Sequence, residues 1–247
     1  MISNPPPNRE KTCQRIGTEI ESEQSMNPPL RLYLIRHGET EWSRSGQHTG
    51  STDLPLTEQG EREAGGLAAR LHGIVFSHVL SSPRQRARRT CELAAVTPAA
   101  EIEPDLQEWN YGDYEGRRSV DIRVDRPNWN IFYDGCPHGE MPDEVATRAD
   151  RLIAQLRTLA GNVALFSHGQ FGCVLGARWI GLPLENAKHL QLGTASISIL
   201  TSDQRHPEVS VIQQWNAVPP ATPLLMTLKE RALDRWENEG GEIPYSP

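Results

Sequence analysis

Two apolar runs, Leu32-Tyr33-Leu34-Ile35 and Val163-Ala164-Leu165-Phe166, are too short to be helices, and both lead into a His-Gly dipeptide. The first continues as Arg36-His37-Gly38 and the second as Ser167-His168-Gly169. Runs of this length without polar alternation read as strands buried on both faces, the pattern of parallel strands. Helical segments separate them, so the expected architecture is α/β: a three-layer sandwich, its central sheet mostly parallel, with helices on both faces. In open sheets of that kind ligands bind just beyond the carboxyl ends of the strands. If both runs are central and parallel, His37 and His168 converge at one sheet edge. Gly38 then lets the backbone turn tightly and approach a bound group.

Local signals place the remaining elements. Thr57 is a good N-cap for a helix to about Leu71, with Gly73 just past its end. Phe76 to Ser81 reads as another strand. Ser82-Pro83-Arg84-Gln85 predicts a helix start, with Ser82 at the N-cap and Gln85 closing a capping box. That helix carries Arg84, Arg86, Arg88 and Arg89. At about 100° per residue Arg84 and Arg86 diverge by about 200°, so only one can face a given site. Arg88, and with it Arg84, reads as a solvated face.

The stretch from Glu101 to Met141 has many aromatics and little periodicity, which suggests a lid or binding insertion, centred on 109–141. Val145, Ala149, Leu152, Ile153, Leu156 and Leu159 then mark the clearest helix, ended by Gly161. A helix from about Phe171 to Trp179 follows. Ser196 to Leu200 and Val209 to Trp215 read as antiparallel neighbours joined through Asp203 to Pro207. Glu41 to Asp53 reads as a loop. Residues 1–29 read as a disordered extension, within which Met26 is an alternative start, and 30–218 as the folded domain. Residues 219–247 offer one amphipathic helix near Leu225 to Trp236 and a polar tail.

Composition excludes several classes. A net charge of −7 argues against nucleic acid or an anionic membrane as partner. An anionic substrate must therefore be drawn by a local positive pocket. No apolar run approaches the ~20 residues of a membrane helix. Cys13, Cys91, Cys136 and Cys173 are scattered without metal spacing, as expected of reduced thiols in the cytoplasm. Converging histidines could hold a metal, but Arg36 would repel it and no H-x-x-x-H or carboxylate pair accompanies them. Covalent catalysis at phosphorus accounts for the arginines, whose planar guanidinium matches phosphoryl oxygens. No cofactor is expected.

Four motifs then carry a resemblance: Arg36-His37-Gly38-Glu39-Thr40-Glu41-Trp42, the run Ser81 to Ala87 (SSPRQRA), the run Glu108 to Gly116 (EWNYGDYEG), and Ser167-His168-Gly169. In this order they resemble the histidine phosphatase superfamily, with its phosphoglycerate-mutase-like fold, from about Leu30 to Trp215. Gly46 to Gly50 (GQHTG) and Trp129 to Glu140 are similar to its branch that includes sedoheptulose-1,7-bisphosphatase.

The resemblance implies that His37 attacks phosphorus, that Arg36, Arg86 and His168 hold the phosphoryl oxygens, and that Glu108 is the general acid and base. It also implies substrate contacts from Ser43, His48, Thr49 and Tyr111. The substrate it implies is a small phosphorylated metabolite, a sugar phosphate or bisphosphate, and it leaves a homodimer open. One departure stands out: the family pattern H-G-H-x-x-R reads His168-Gly169-Gln170-Phe171-Gly172-Cys173, so the helix-borne arginine is missing. Arg178 and Lys188 are candidate replacements. Mutase-type transfer is the alternative activity, although the segment from Glu115 to Ser119 lacks the length of the mutases' basic insertion. A non-catalytic binding protein that keeps the fold is the alternative from another class.

Overall fold

The computed structural model describes residues 28–218; the expected N-terminal extension (up to residue 27) and C-terminal helix lie outside the described residues. In chain order the elements are β1 (Arg31–Arg36), α1 (Glu41–Ser45), α2 (Glu58–Leu71), β2 (Phe76–Ser81), α3 (Gln85–Ala94), β3 (Glu101–Ile102) and α4 (Ser119–Asp125). There follow α5 (Ile131–Asp134), α6 (Pro142–Leu156), β4 (Asn162–Ser167), α7 (Gly169–Trp179), β5 (Ile197–Ser202) and β6 (Ser210–Ala217). Among the described residues no helix is long and apolar enough to cross a membrane.

The strands form one sheet in the order β3-β2-β4-β1-β5-β6. β3, β2, β4 and β1 run parallel, and β5 and β6 complete it as antiparallel neighbours. Successive side chains of a strand point to opposite faces, and the core divides accordingly. Leu32 and Leu34 of β1 join Val163 and Leu165 of β4 in one apolar cluster, with α6 and α7. Tyr33 and Ile35 join Ala164 and Phe166 in the other, with α2 and α3. The chain is thus the three-layer sandwich expected, with the two apolar runs at its centre.

Helix α2 starts where Thr57 caps it, accepting from the Gly60 N–H at 3.0 Å. The start of α3 differs from expectation. Its first helical residue is Gln85, Arg84 occupies the N-cap without a side-chain cap bond, and there is no capping box at Ser82. The Ser82 hydroxyl accepts from the Arg84 N–H at 3.3 Å, just before the helix, and also lies 2.7 Å from His168 Nε2, so it serves the site as well as the turn into α3. Two small elements escaped the sequence pattern. α1 buries no residue, and Thr40 and Ser43 cap it reciprocally; β3 is two exposed residues long.

The segment from Glu101 to Met141 is packed, not a free flap. Trp109, Tyr111, Tyr114, Trp129 and Phe132 are buried in the same cluster as Leu32 and Leu165. Arg148, buried within α6, fastens it. Its guanidinium pairs with Glu140 at 2.9 Å and donates to the carbonyls of Asp105 (2.9 Å) and Gln107 (2.7 Å). A buried charge whose donors are met in this way is costly to remove, because its partners are left behind unpaired. Arg148 therefore fixes the backbone that leads into Glu108.

Candidate active site

The register of β1 on β4 pairs Arg36 with Ser167, so the two His-Gly tips leave adjacent parallel strands side by side. The His37 N–H donates to the Ser167 carbonyl at 3.0 Å, and the two imidazole centroids lie 5.2 Å apart. Gly38 is needed there for a reason other than ligand approach: a Cβ would sit 2.3 Å from the Gly60 carbonyl of α2. Its N–H donates to Thr90 Oγ1 at 3.1 Å, which pins the strand tip to α3.

His37 is buried, and its Nδ1–H donates to the Gly38 carbonyl at 2.7 Å. That bond assigns the proton to Nδ1 and leaves the lone pair on Nε2. Burial, then the charges of Arg86 and Arg36, hold its pKa well below the usual histidine value, so the ring stays neutral. Arg36, His37, Ser43, His48, Thr49, Glu108 and Tyr111 line one cleft, together with Gln47, Gly169 and Gln170. A second cleft, between α2 and α3 and lined by residues such as Glu61, Arg88 and Arg89, contains neither histidine.

A model of the histidine phosphatase superfamily, branch 1, matches residues 32–216, a span that holds both strand tips and all but the first and last residues of the sheet. The chain belongs to this superfamily. It is 41% identical over 174 residues to an acid phosphatase of Mycobacterium tuberculosis, covering 68% of this chain and 85% of that one. It is 36% identical over 192 residues to the sedoheptulose 1,7-bisphosphatase of Saccharomyces cerevisiae, covering 63% of this chain and 69% of that one. A solved Escherichia coli structure assigned as an alpha-ribazole-5'-P phosphatase superposes with a TM-score of 0.69 at 30% identity, over 78% of this chain and all (100%) of that one.

Within this histidine phosphatase the other expected residues fall into two sets. Arg86 and His168 are fully buried and stand behind the cleft lining. Arg86 Nε–H donates to His168 Nδ1 at 3.2 Å, which leaves Nε2–H of His168 to donate to Ser82 Oγ at 2.7 Å. Arg86 also donates to the carbonyls of Thr52 (3.0 Å), Thr49 (2.9 Å) and Gly50 (3.1 Å). The N–H groups of Gly50 and Thr52 donate to Glu115 at 2.8 and 3.0 Å. This short loop is therefore clamped between a guanidinium on its carbonyls and a carboxylate on its amides. Desolvation brings Arg86 down to about 10, against the attraction of Glu108 and Asp53; it remains a cation at neutral pH. Burial, then Arg86, pushes His168 well below its usual value, so it too is neutral.

Glu108 sits against the N-terminus of α7. Its Oε1 accepts from the backbone N–H of Trp109 (2.8 Å) and Phe171 (2.7 Å), and its Oε2 from that of Gln170 (3.0 Å). A helix N-terminus favours an anion, so the carboxyl group is anchored there by the backbone as well as by its own segment. His48 stacks on Tyr111 with centroids 4.5 Å apart, and its Nε2 meets Ser119 Oγ at 3.1 Å.

Several expectations need correction. Arg84 is not a solvated residue: it is half-buried, its Nε is buried without a hydrogen-bond partner, and its charge helps to lower the His168 pKa. Arg88 is exposed as expected. Cys173, at the position of the missing arginine, is buried in the apolar core with Leu175 and Phe171 and does not line the cleft. Neither candidate replacement reaches it. Arg178 pairs with Asp150 at 2.8 Å, and Lys188 Nζ–H donates to the Tyr133 hydroxyl at 2.7 Å. Gln47 and Gln170 were not singled out, although Gln47 stands in the quoted Gly46 to Gly50 motif and Gln170 marks the departure from H-G-H. Ser82, Thr90 and Glu115 act through hydrogen bonds to distant partners, which spacing along the chain does not reveal.

Proposed function

We propose that this histidine phosphatase is a metal-independent phosphomonoester hydrolase of the cytoplasm that works through a phosphohistidine on His37. The observation that carries the reading is the state of His37: a neutral ring with its proton held on Nδ1 by the Gly38 carbonyl, in a cleft beside the Arg36 guanidinium. A neutral imidazole with one oriented lone pair is what nucleophilic attack requires. Nε2 bonds to phosphorus while the bond from phosphorus to the ester oxygen breaks, and Glu108 gives the leaving oxygen its proton. We assign that proton to Oε2, because Oε1 already accepts two backbone bonds. In the second half Glu108 takes a proton from water, the water oxygen attacks phosphorus, and the bond to Nε2 breaks. Phosphate leaves and Glu108 is protonated again.

Arg36 and Arg86 offset charge on the phosphoryl oxygens, as phosphoryl transfer requires. Four hydrogen bonds from Arg86 are made inside the protein, and one N–H on Nη1 remains for a phosphoryl oxygen. The likeness to an acid phosphatase and a sugar bisphosphatase supports hydrolysis of a small phosphorylated metabolite. The test is phosphate release from p-nitrophenyl phosphate by the full chain, with and without chelator. Turnover unaffected by chelator is expected; turnover abolished by chelator and restored by a divalent ion would overturn the covalent, metal-free scheme.

A further inference from the structure

The cleft carries charge for one phosphoryl group and no more. Apart from Arg36, His37, Gly169 and Glu108, its lining is Ser43, Gln47, His48, Thr49, Tyr111 and Gln170. These are hydroxyls, amides and aromatic rings, and no lysine or second arginine stands among them. Three arginines close by in sequence are held in ion pairs: Arg44 with Glu41 (2.6 Å), Arg117 with Asp125 (2.9 Å) and Arg118 with Asp121 (2.8 Å). His48 cannot stand in for a cation, because burial and then Arg123 hold it down at about 4. Buried Cys173 cannot either, and Arg178 and Lys188 are engaged elsewhere.

A second phosphoryl group brings roughly −1.5 to −2 of charge. It would have to shed water against neutral dipoles. Hydroxyl groups on an uncharged body meet the opposite situation: Ser43, Thr49, Gln47 and Gln170 line the cleft with neutral polar groups, several of them held in place by bonds to Thr40, Gly116 and Ser45, and no net charge has to be stripped of water against them. A sugar ring also presents C–H faces suited to the stacked His48 and Tyr111 rings. Resting on the phosphatase reading above, we infer that the substrate is the monophosphate of an uncharged, hydroxyl-bearing body such as a sugar, and that sugar bisphosphates and phosphorylated carboxylates are poor substrates. Among the described residues nothing else lining the cleft would recognise a second anion.

The experiment compares kcat/KM of the full chain for matched pairs, fructose 6-phosphate against fructose 1,6-bisphosphate and sedoheptulose 7-phosphate against sedoheptulose 1,7-bisphosphate. p-Nitrophenyl phosphate serves as the control for the phosphatase reading. Monophosphates are expected to lead by about tenfold or more in each pair. Thr49→Lys, which puts an ammonium group on the lining, is expected to raise the bisphosphate kcat/KM and narrow that gap about tenfold. Turnover of the control with parity or a bisphosphate preference overturns the single-phosphoryl inference and leaves the phosphatase reading standing. A gap that Thr49→Lys does not narrow, in a variant that still turns over the control, overturns the charge argument. No turnover of any phosphomonoester overturns both readings.

Discussion

The two His-Gly tips have the same dipeptide, leave adjacent parallel strands and lie 5.2 Å apart, yet their surroundings set them to different tasks. His37 lines the cleft and has one nitrogen tied to a backbone carbonyl, which leaves the other for chemistry. His168 is fully buried, and both of its nitrogens are engaged, one by Arg86 and one by Ser82. Both rings are kept neutral by burial first and by nearby guanidinium groups second. What separates them is therefore not protonation but access and hydrogen-bond commitment. In the proposed scheme the repeated motif supplies a nucleophile once and a fixed support once.

Substituting each tip in turn tests this contrast with the largest effects. His37→Ala is expected to lose about 10⁴-fold or more in kcat, since no group nearby replaces the nucleophile. His168→Ala should lose roughly 10²-fold, because it removes the anchor of Arg86 but not the attacking atom. Single-turnover rates on both variants check this; equal losses would erase the distinction. Arg86→Ala comes next, with an expected loss of roughly 10²-fold or more, from a buried guanidinium that holds both His168 and the 49–52 loop. Arg84→Ala should lose less, because Arg84 acts on His168 through its charge alone. The reverse order would exchange the two arginines.

Glu108→Gln sharpens the contrast between the two halves of the reaction. Phosphorylation by sugar phosphates should slow by about 10²–10⁴-fold, whereas p-nitrophenyl phosphate, whose leaving group needs no proton, should be slowed far less in that step. Equal slowing of both would make Glu108 a positioning group. Ser82→Ala is expected to cost only about 3- to 10-fold in kcat, the order of one hydrogen bond to a neutral ring. A loss as large as that of His168→Ala would mean that Ser82 touches the reacting group.

The architecture was legible where burial followed the strand period. β1 and β4 contain the two apolar runs, β2 is the strand read at Phe76 to Ser81, and β5 and β6 pair as their alternation suggests. α1 and β3 left no pattern because neither buries a residue. The packing of the 101–141 segment left no pattern for a different reason. Its aromatics are buried singly from irregular backbone, and its anchor Arg148 lies on α6, outside the segment, so no local period records either. Ser82 misled because its hydroxyl, besides accepting from the Arg84 N–H, meets a histidine 86 residues away, a contact no local pattern records. At the site, the cleft lining was readable from motifs, but the retreat of Arg86 and His168 behind it depends on loop carbonyls that only the folded chain supplies.

The pH dependence should be the smallest effect. Because the His37 pKa is lowered, its neutral form persists as pH falls through 6.5, the usual histidine value. Single-turnover phosphorylation with p-nitrophenyl phosphate is therefore expected to show no histidine limb near 6.5, only a decline well below it. A limb at 6.5 would mean that the ring is more solvated than its burial indicates.

The most direct measurement is the site of the covalent phosphoryl group. Enzyme mixed with a phosphomonoester, quenched in base within one turnover and digested, should carry the group on the peptide that holds His37, as an acid-labile and base-stable adduct. His168 should stay unmodified in the same digest. Phosphoryl on His168, or turnover with no modified histidine at any quench time, would contradict the different tasks assigned to the two strand tips.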